Sequence, residues 1–495
     1  MFNQKFTYLN LPENFYQRVK ADYCPSPKLI KLNNELLEQK FDIKLNHFNE
    51  KELANIFTGQ TLLNHSIPIA QAYAGHQFGH FNPSLGDGRA LLLGEITSDS
   101  NLKNEEEKLY DVVLKGSGRT PFSRSGDGKS PLGPAIREYI VSEAMYYFGV
   151  PTTRALAICS TGEKVYREDP LDGAIFTRLA SSHIRVGTFE YFASRHEFNS
   201  VEKLVKYSLE RHFKNHKLID QNIYLTFINE VAKVQSNLIS NWMSFGFIHG
   251  VMNTDNMSIS GETIDFGPCA FMDTFSNDQV YSFIDKQGRY AYGNQIKIAI
   301  WNLYRLAECL IPLVDSNTST AVSLVESLLK KIEPMYHQKW LNRMLSKLGI
   351  EYSNLNKEIL EQDEKLINDW LSFLEKEKLD FTISFRTLLE RKEKFHNSEV
   401  FQEIYKSISK RHLLNKKNKD LDKILQETYK VNPIYIPRNH QVEKAIEEAY
   451  QNNFVHFEKL LEVSKKPFIN QGENFSMFEN PPLQNEIVKN TFCGT

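Results

Sequence analysis

Residues 247–267, FIHGVMNTDNMSISGETIDFG, decide the fold. They set an Asp-Asn pair, Asp255-Asn256, shortly before an Asp-Phe-Gly tripeptide, Asp265-Phe266-Gly267. Between them, residues 257–259 and 263–264 flank Ser260-Gly261, a pattern that predicts a tight hairpin. An Asn and an Asp held at the two ends of a short hairpin can approach one divalent cation. Oxygen-only ligands with few protein contributors suit magnesium bridging nucleotide phosphates. Alone, Asp-Phe-Gly is an ordinary turn. The pair, the hairpin and the tripeptide together make a metal site the stronger reading.

Upstream residues extend that reading. Lys115 ends a predicted strand, DVVLK, at 111–115. Glu138 falls in a predicted helix over 130–148, where Ile136, Ile140, Ala144 and Phe148 recur every four residues and Gly149 follows. A strand lysine held by a helix glutamate is how kinases orient a phosphate-gripping ammonium. Glycine loops lie on both sides of Lys115. Gly86-Asp87-Gly88-Arg89 precedes the strand at 90–95; Gly116-Ser117-Gly118-Arg119 and Gly126-Asp127-Gly128-Lys129 follow Lys115. Glycines let backbone N–H groups reach phosphate oxygens. In the first loop Asp87 would repel a phosphate and Arg89 would attract one. Arg178 and Arg185 add guanidinium groups suited to bidentate phosphate contacts. Each of these alone has a plainer explanation: a turn, a solvated strand end, a surface ion pair. Their convergence with the metal motif favours the site. One position departs from a kinase. Aligning His249 and Asn256 with the catalytic loop H-R-D-x-x-x-x-N puts Val251 at the base position, and valine cannot accept a proton.

The rest of the chain sets the frame. Its 495 residues are enough for one to three domains with a real core. A net charge of -2 lacks the basic excess of a generic nucleic-acid binder. No apolar run approaches the length of a spanning helix, and the first residues, which include Glu13, show no secretory or transit pattern. The five cysteines have no CxxC spacing, which removes zinc and thioredoxin-type readings. A reducing, cytoplasmic setting follows, with no nucleic-acid or membrane partner. Of the 24 glycines, none precedes Gly59 and only Gly349, Gly472 and Gly494 follow Gly293. The middle of the chain is therefore the site-bearing part. It reads as strands, with a hairpin of 155–159 and 164–166 around Thr161-Gly162 and a strand at 173–178. Helices follow over 223–242, 294–314, 318–331, 356–376 and 441–463. The fold class expected is α+β.

Five long motifs now resemble one family. They are residues 70–90 (AQAYAGHQFGHFNPSLGDGRA), 111–139 (DVVLKGSGRTPFSRSGDGKSPLGPAIREY), 173–193 (GAIFTRLASSHIRVGTFEYFA), 247–273 and 432–440 (NPIYIPRNH). In this order, over nearly the whole chain, they are similar to selenoprotein O, the SelO family. The resemblance implies a protein-kinase-like two-lobed fold, a strand-rich N-lobe and a helical C-lobe, with extra terminal elements. Its expected parts are an N-terminal extension at 1–60, an N-lobe at 61–190, a C-lobe at 191–345 and a helical C-terminal region with a redox-active tail at 346–495.

It also implies a protein adenylyltransferase, moving AMP from ATP to Ser, Thr or Tyr hydroxyls of other proteins. The nucleotide lies turned around relative to kinases, with pyrophosphate as leaving group. The alternatives are UMP transfer from UTP by the same site, a kinase-like phosphotransferase, and a silent nucleotide-binding pseudokinase. Carried over by position, Gly86, Gly88, Arg89, Lys115, Asp127, Gly128, Arg178, Arg185 and Asp265 contact nucleotide. Glu138 pairs with Lys115, Asn256 and Asp265 hold Mg²⁺ or Mn²⁺, and Asp255 is the proton acceptor. A reversible Cys269–Cys493 disulfide between activation segment and tail is the last implication. Cys159 and Cys309 sit in apolar patterns and read as core.

Overall fold

The computed structural model describes residues 6–99, 106–352, 356–389, 398–414 and 421–492. Its first part is built on an antiparallel sheet. The strands are β1 (Tyr16–Arg18), β2 (Lys28–Leu32), β3 (Ile69–Gln71), β6 (Ala90–Thr97), β7 (Leu109–Lys115), β9 (Arg154–Tyr166) and β10 (Pro170–Ala180), in the order β1-β3-β6-β7-β10-β9-β2. A short β8 (Ser130–Pro131) pairs with β10. A separate hairpin of β4 (Gly75–Gln77) and β5 (His80–Asn82) stands off the sheet.

Alternation along the strands sends side chains to opposite faces. Val112, Leu114, Cys159 and Ile175 pack under α1 (Asn34–Phe41) and α2 (Glu50–Phe57). Ala155, Ile158, Ala174 and Phe176 pack against α3 (Leu132–Tyr147). Both faces are covered, so β7 is buried from Tyr110 to Lys115, with Asp111 as the charged residue inside it.

The remainder is helical. It comprises α4 (Val186–Ala193), α5 (Phe198–His212), α6 (Ile223–Ser244), α7 (Gln295–Val314), α8 (Thr318–Lys347), α9 (Lys357–Lys376), α10 (Phe381–Thr387), α11 (Glu399–Leu414), α12 (Leu421–Tyr429), α13 (Asn439–Tyr450) and α14 (Val455–Ser464), with a two-stranded piece, β11 (Phe247–Ile248) and β12 (Ala270–Phe271). One buried cluster runs through α4 to α9. The C-terminal α13 and α14 return to the sheet-rich part and cover α3, with Val442 and Phe457 against Ile136 and Ile140. The molecule is thus mixed, a sheet-rich part followed by a helical part. Among the described residues no helix is long and apolar enough to cross a membrane.

Three sequence expectations need correction. The helix expected over 441–463 is two, α13 and α14, parted at 451–454. Residues 154–166 form one continuous strand, not a hairpin about Thr161-Gly162. Gly162 takes φ +79°, and a Cβ there would meet Ser26 at 2.7 Å, so the glycine admits a close neighbour rather than a reversal. Residues 257–264 do turn, but they form no ladder with each other. Their backbone groups are taken elsewhere: Val186 N–H donates to Met257 O, Ile259 N–H to Ile184 O, and Thr153 N–H to Thr263 O. Ser258 and Thr263 each make a single bridge, to Arg185 and to Thr152.

Candidate active site

The register of β7 and β10 places Lys115 opposite Phe176 and Val113 opposite Arg178. Residues two apart share a face, so Lys115 and Arg178 project together. Glu138, on α3, answers both. Its carboxylate accepts from Lys115 Nζ at 2.6 Å and from Arg178 Nη1 at 3.1 Å. Asp265 Oδ1 accepts from the same two donors, at 2.7 Å from Lys115 and 2.8 Å from Arg178. Arg185 Nη2 stands 3.9 Å from Asp265 Oδ2. Burial alone would raise the Asp265 carboxyl, but Lys115, Arg178 and Arg185 outweigh it and hold it well below the usual range. Asp265 takes φ +62°, a left-handed conformation that costs a residue with a Cβ about 1–2 kcal/mol. The ion pairs offset that cost and aim the carboxylate at the cations.

Arg185 is placed from behind. Its guanidinium lies 4.3 Å above the Tyr73 ring and 3.6 Å from Asp87 Oδ1. The preceding His183 is anchored through its N–H to Asp111 Oδ2 at 3.0 Å, with its ring Nδ1 3.1 Å from the same oxygen. Arg211 clamps the other Asp111 oxygen at 2.5 Å and Glu95 at 2.5 Å. Burial pushes the His183 imidazole down to about 4, so it serves as a neutral strut.

The glycine loops start from one point. Gly116 N–H donates to Arg89 O at 2.7 Å, joining the ends of β6 and β7. Gly86 takes φ +65°, and a Cβ there would fall 2.2 Å from the Phe122 ring. Gly128 takes φ +71°, and its Cβ would fall 2.0 Å from Gly118 O. Both turns therefore require glycine. Gly88 packs on the Phe122 carbonyl. Asp87 is not presented to the cleft: its Oδ2 accepts from Gln71 N–H at 2.9 Å, and its side chain is 3% exposed. Asp127 is bound by Arg167 at 2.8 and 3.2 Å and by Lys129 N–H at 3.0 Å. Partial burial raises its carboxyl, but those bonds prevail and lower it.

Asp255 and Asn256 lie on a single turn of 3-10 helix, Thr254–Asn256. Gln77 Nε2 donates to Asp255 Oδ2 at 3.2 Å. Asp255 Oδ1 is buried with no hydrogen-bond partner among the described residues. Burial pushes this carboxyl up to about 7. Asn256 spends its amide N–H on Val251 O at 3.0 Å, so its side-chain oxygen is the atom that could meet a cation. No group of three or more His, Cys, Asp or Glu that could hold a metal exists among the described residues. An Asn oxygen and an Asp carboxylate fit a hard divalent cation that takes its remaining ligands from phosphate and water.

Two features of the site were not read from the sequence. One is the β4–β5 hairpin, which lies against Asp255. The other is Arg137, beside Glu138 on α3, which donates from Nη1 to Asn439 at 2.8 Å and to Cys269 O at 3.4 Å and also pairs with Glu443. Cys269 is buried, its sulfur 3.3 Å from Phe266 O; Cys493 lies outside the described residues. Cys159 and Cys309 are buried, as expected. A cavity of about 670 Å³ opens beside Arg211, His212 and Lys214 and includes none of the site residues.

With this geometry in place, comparison with known proteins is decisive. A family model described as protein adenylyltransferase SelO matches residues 2–465. The chain belongs to the SelO family. Relatives named protein nucleotidyltransferase YdiU agree. The one from Maridesulfovibrio salexigens is 45% identical over 500 residues, covering 99% of this chain and 97% of the relative. That from Pelagibacter ubique is 43% identical over 493 residues, covering 99% and 98%. That from Clostridium beijerinckii is 45% identical over 498 residues, covering 99% and 97%. This SelO-family chain is a nucleotidyltransferase, with nucleotide and protein as its substrate classes.

Proposed function

We propose that the chain transfers AMP from ATP to hydroxyl side chains of proteins, on a kinase-like arrangement of a strand lysine, a helix glutamate and an Asp-Phe-Gly aspartate. The observation that carries this reading is the convergence of Lys115, Arg178 and Arg185 on Asp265, with Asp255 rather than a residue at position 251 as the nearby carboxylate. Lys115, Arg178 and Arg185 gather on Asp265, three donors suited to the β- and γ-phosphates. Gly86, Gly88, Arg89, Asp127 and Gly128 line the turns that complete nucleotide binding. A triphosphate held this way turns its α-phosphorus to the acceptor.

The acceptor oxygen then bonds to the α-phosphorus, and its proton passes to Asp255. The bond from the α-phosphorus to the bridging oxygen breaks, and pyrophosphate leaves with the electron pair among the cations. Asn256 and Asp265 would hold Mg²⁺ or Mn²⁺, which supplies charge neutralisation on the phosphates. ATP labelled on the α- or γ-phosphate tests the reading. The α-label on protein supports it; the γ-label alone marks a kinase; neither marks a silent pseudokinase.

UMP transfer from UTP is the second reading. The curated relatives are named nucleotidyltransferases, without a base. Competition of UTP against labelled ATP separates the two. The parts 1–60, 61–190, 191–345 and 346–495 serve as working divisions, and a cytoplasmic location is proposed.

The tail is proposed to carry redox control through Cys269–Cys493. Thr491 supports this: its hydroxyl donates to Pro268 O at 2.6 Å, and its N–H to Tyr281 O at 2.8 Å. That docks the chain two residues before Cys493 against the residue preceding Cys269. A non-reducing peptide map lacking a linked 269/493 pair after mild oxidation defeats the proposal.

A further inference from the structure

The hairpin β4–β5 reads Asp255 residue by residue. His76 N–H donates to Thr254 Oγ1 at 2.6 Å, and Phe78 N–H donates to Asn253 Oδ1 at 3.1 Å. Between them, the Gln77 side chain donates to Asp255 Oδ2 at 3.2 Å. Three successive hairpin residues therefore meet three successive residues of the catalytic turn. Both ends of this match are held fast. Glu190, on α4, accepts from Thr254 Oγ1 at 2.5 Å and lies 2.5 Å from His76 Nδ1. Tyr290 Oη donates to Asn253 Oδ1 at 2.5 Å.

Close backbone approach makes the match possible. A Cβ on Gly75 would fall 2.7 Å from Asp255 Oδ1, and one on Gly187 would fall 2.1 Å from Ala74 O. The hairpin thus rests directly on the carboxylate. The two Asp255 oxygens are consequently unequal. Oδ2 is tied to Gln77, while Oδ1 is buried with no partner among the described residues. An unpartnered buried oxygen is costly to keep, and functional sites are where such groups persist.

We propose that Gln77 is a positioning residue: its amide holds the Asp255 carboxylate through Oδ2 and so sets the orientation in which that carboxylate meets the acceptor hydroxyl. This rests on Asp255 as proton acceptor. Among the described residues the Gln77 side chain bonds Asp255 and none of Lys115, Arg178, Arg185, Asn256 or Asp265, so its effect falls on the transfer step.

The test is a double-mutant cycle of Gln77→Met and Asp255→Asn in the full chain, read by single-turnover transfer of α-labelled AMP to protein. Gln77→Met keeps length and removes the donor. The expected result is a fall in the transfer rate of about tenfold, the scale of one positioning hydrogen bond, with KM for ATP and melting temperature unchanged. In the Asp255→Asn background it causes no further fall. A Gln77→Met rate equal to wild type overturns the inference, as does a loss that adds fully to that of Asp255→Asn. If Gln77→Met melts lower, Gln77→Asn is read the same way, since it keeps an amide but retracts it by one methylene. Asp255→Asn at the wild-type rate instead removes Asp255 as base, a failure visible without any Gln77 variant.

Discussion

Asp265 Oδ1 receives both Lys115 and Arg178, at 2.7 and 2.8 Å, so one carboxylate oxygen organises two of the three cations of the site. Glu138 receives the same two donors from the other side. The arrangement is a buried four-membered ion network, with Arg178 only 1% exposed. Removing one member leaves the others charged and underpaired, which is costly in a dry site. Lys115 is also the member with the most freedom to turn toward a ligand, because its three donors sit on a flexible stem.

Asp265→Asn keeps the shape of the side chain and removes its charge. Transfer of α-label should fall by about 10²- to 10³-fold, the scale of losing a preorganised electrostatic group. The folded state should persist, because the amide oxygen still accepts from Lys115 or Arg178. Single-turnover rates at saturating ATP and a melting curve check both parts. Wild-type transfer in Asp265→Asn would contradict the role of this carboxylate.

Gly75→Ala addresses the contact between the hairpin and the catalytic turn. The new methyl would sit 2.7 Å from Asp255 Oδ1, closer than real contacts allow, so the carboxylate or the hairpin must shift. The expected outcome is a fall in kcat of about tenfold or more, since a displacement near 1 Å at a reacting group is enough. Nucleotide affinity, measured by calorimetry, should stay within about twofold, because the new methyl meets Asp255 rather than Lys115 or Arg178. A variant with normal kcat would show that the hairpin yields without moving Asp255.

The readable and unreadable parts of this chain divide by range. The sheet strands β6, β7 and β10, the helix α3 and the long helices α6, α7 and α9 follow local apolar periodicity, and they stand where that periodicity put them. Lys115 and Glu138 were legible because a strand end and a helix face each announce themselves. The hairpin expected at 257–264 failed because Met257, Ile259 and Thr263 find backbone partners in residues 150–190, which no local pattern reveals. The same cause hid Gln77. Its partner is 178 residues away, and a glutamine in a Gly-rich stretch gives no chemical signal of its own. Arg137 shows the same limit, since its meaning comes from Asn439, 302 residues on.

Arg137 leads to a prediction about α3. It ties the helix that carries Glu138 to α13 and to Cys269 O, in the segment after Asp-Phe-Gly. Arg137→Met should keep the helix folded but release those ties. Stability to urea should fall by about 1–3 kcal/mol, the cost of leaving buried acceptors unmet. Transfer should fall with it, while amide exchange in α3 and α13 rises. If exchange in α3 is unchanged, the C-terminal helices only cover the site and do not hold it.

Lys347 gives the last prediction, and its sign is set by burial. The ammonium lies 4.5 Å from the Phe385 ring centroid and 5.4 Å from that of Phe381, with no carboxylate paired to it among the described residues. Burial pushes its pKa down from 10.5 to about 7. Below about pH 7 both folded and unfolded chains carry the proton, and the fold bears the full cost of a buried charge. Between about 7 and 10.5 the folded chain is neutral here while the unfolded chain still binds a proton. Raising the pH through that window therefore favours folding, by up to about 1.4 kcal/mol per unit from this group. Lys347→Met removes the charge and keeps the apolar stem. It should be more stable than wild type at pH 6.5, by on the order of 1 kcal/mol or more after cation–π contacts are lost. At pH 9 the advantage should shrink or vanish. Urea unfolding of both proteins at the two pH values measures the difference directly, and a gap that does not change with pH would mean that Lys347 stays protonated in the fold throughout.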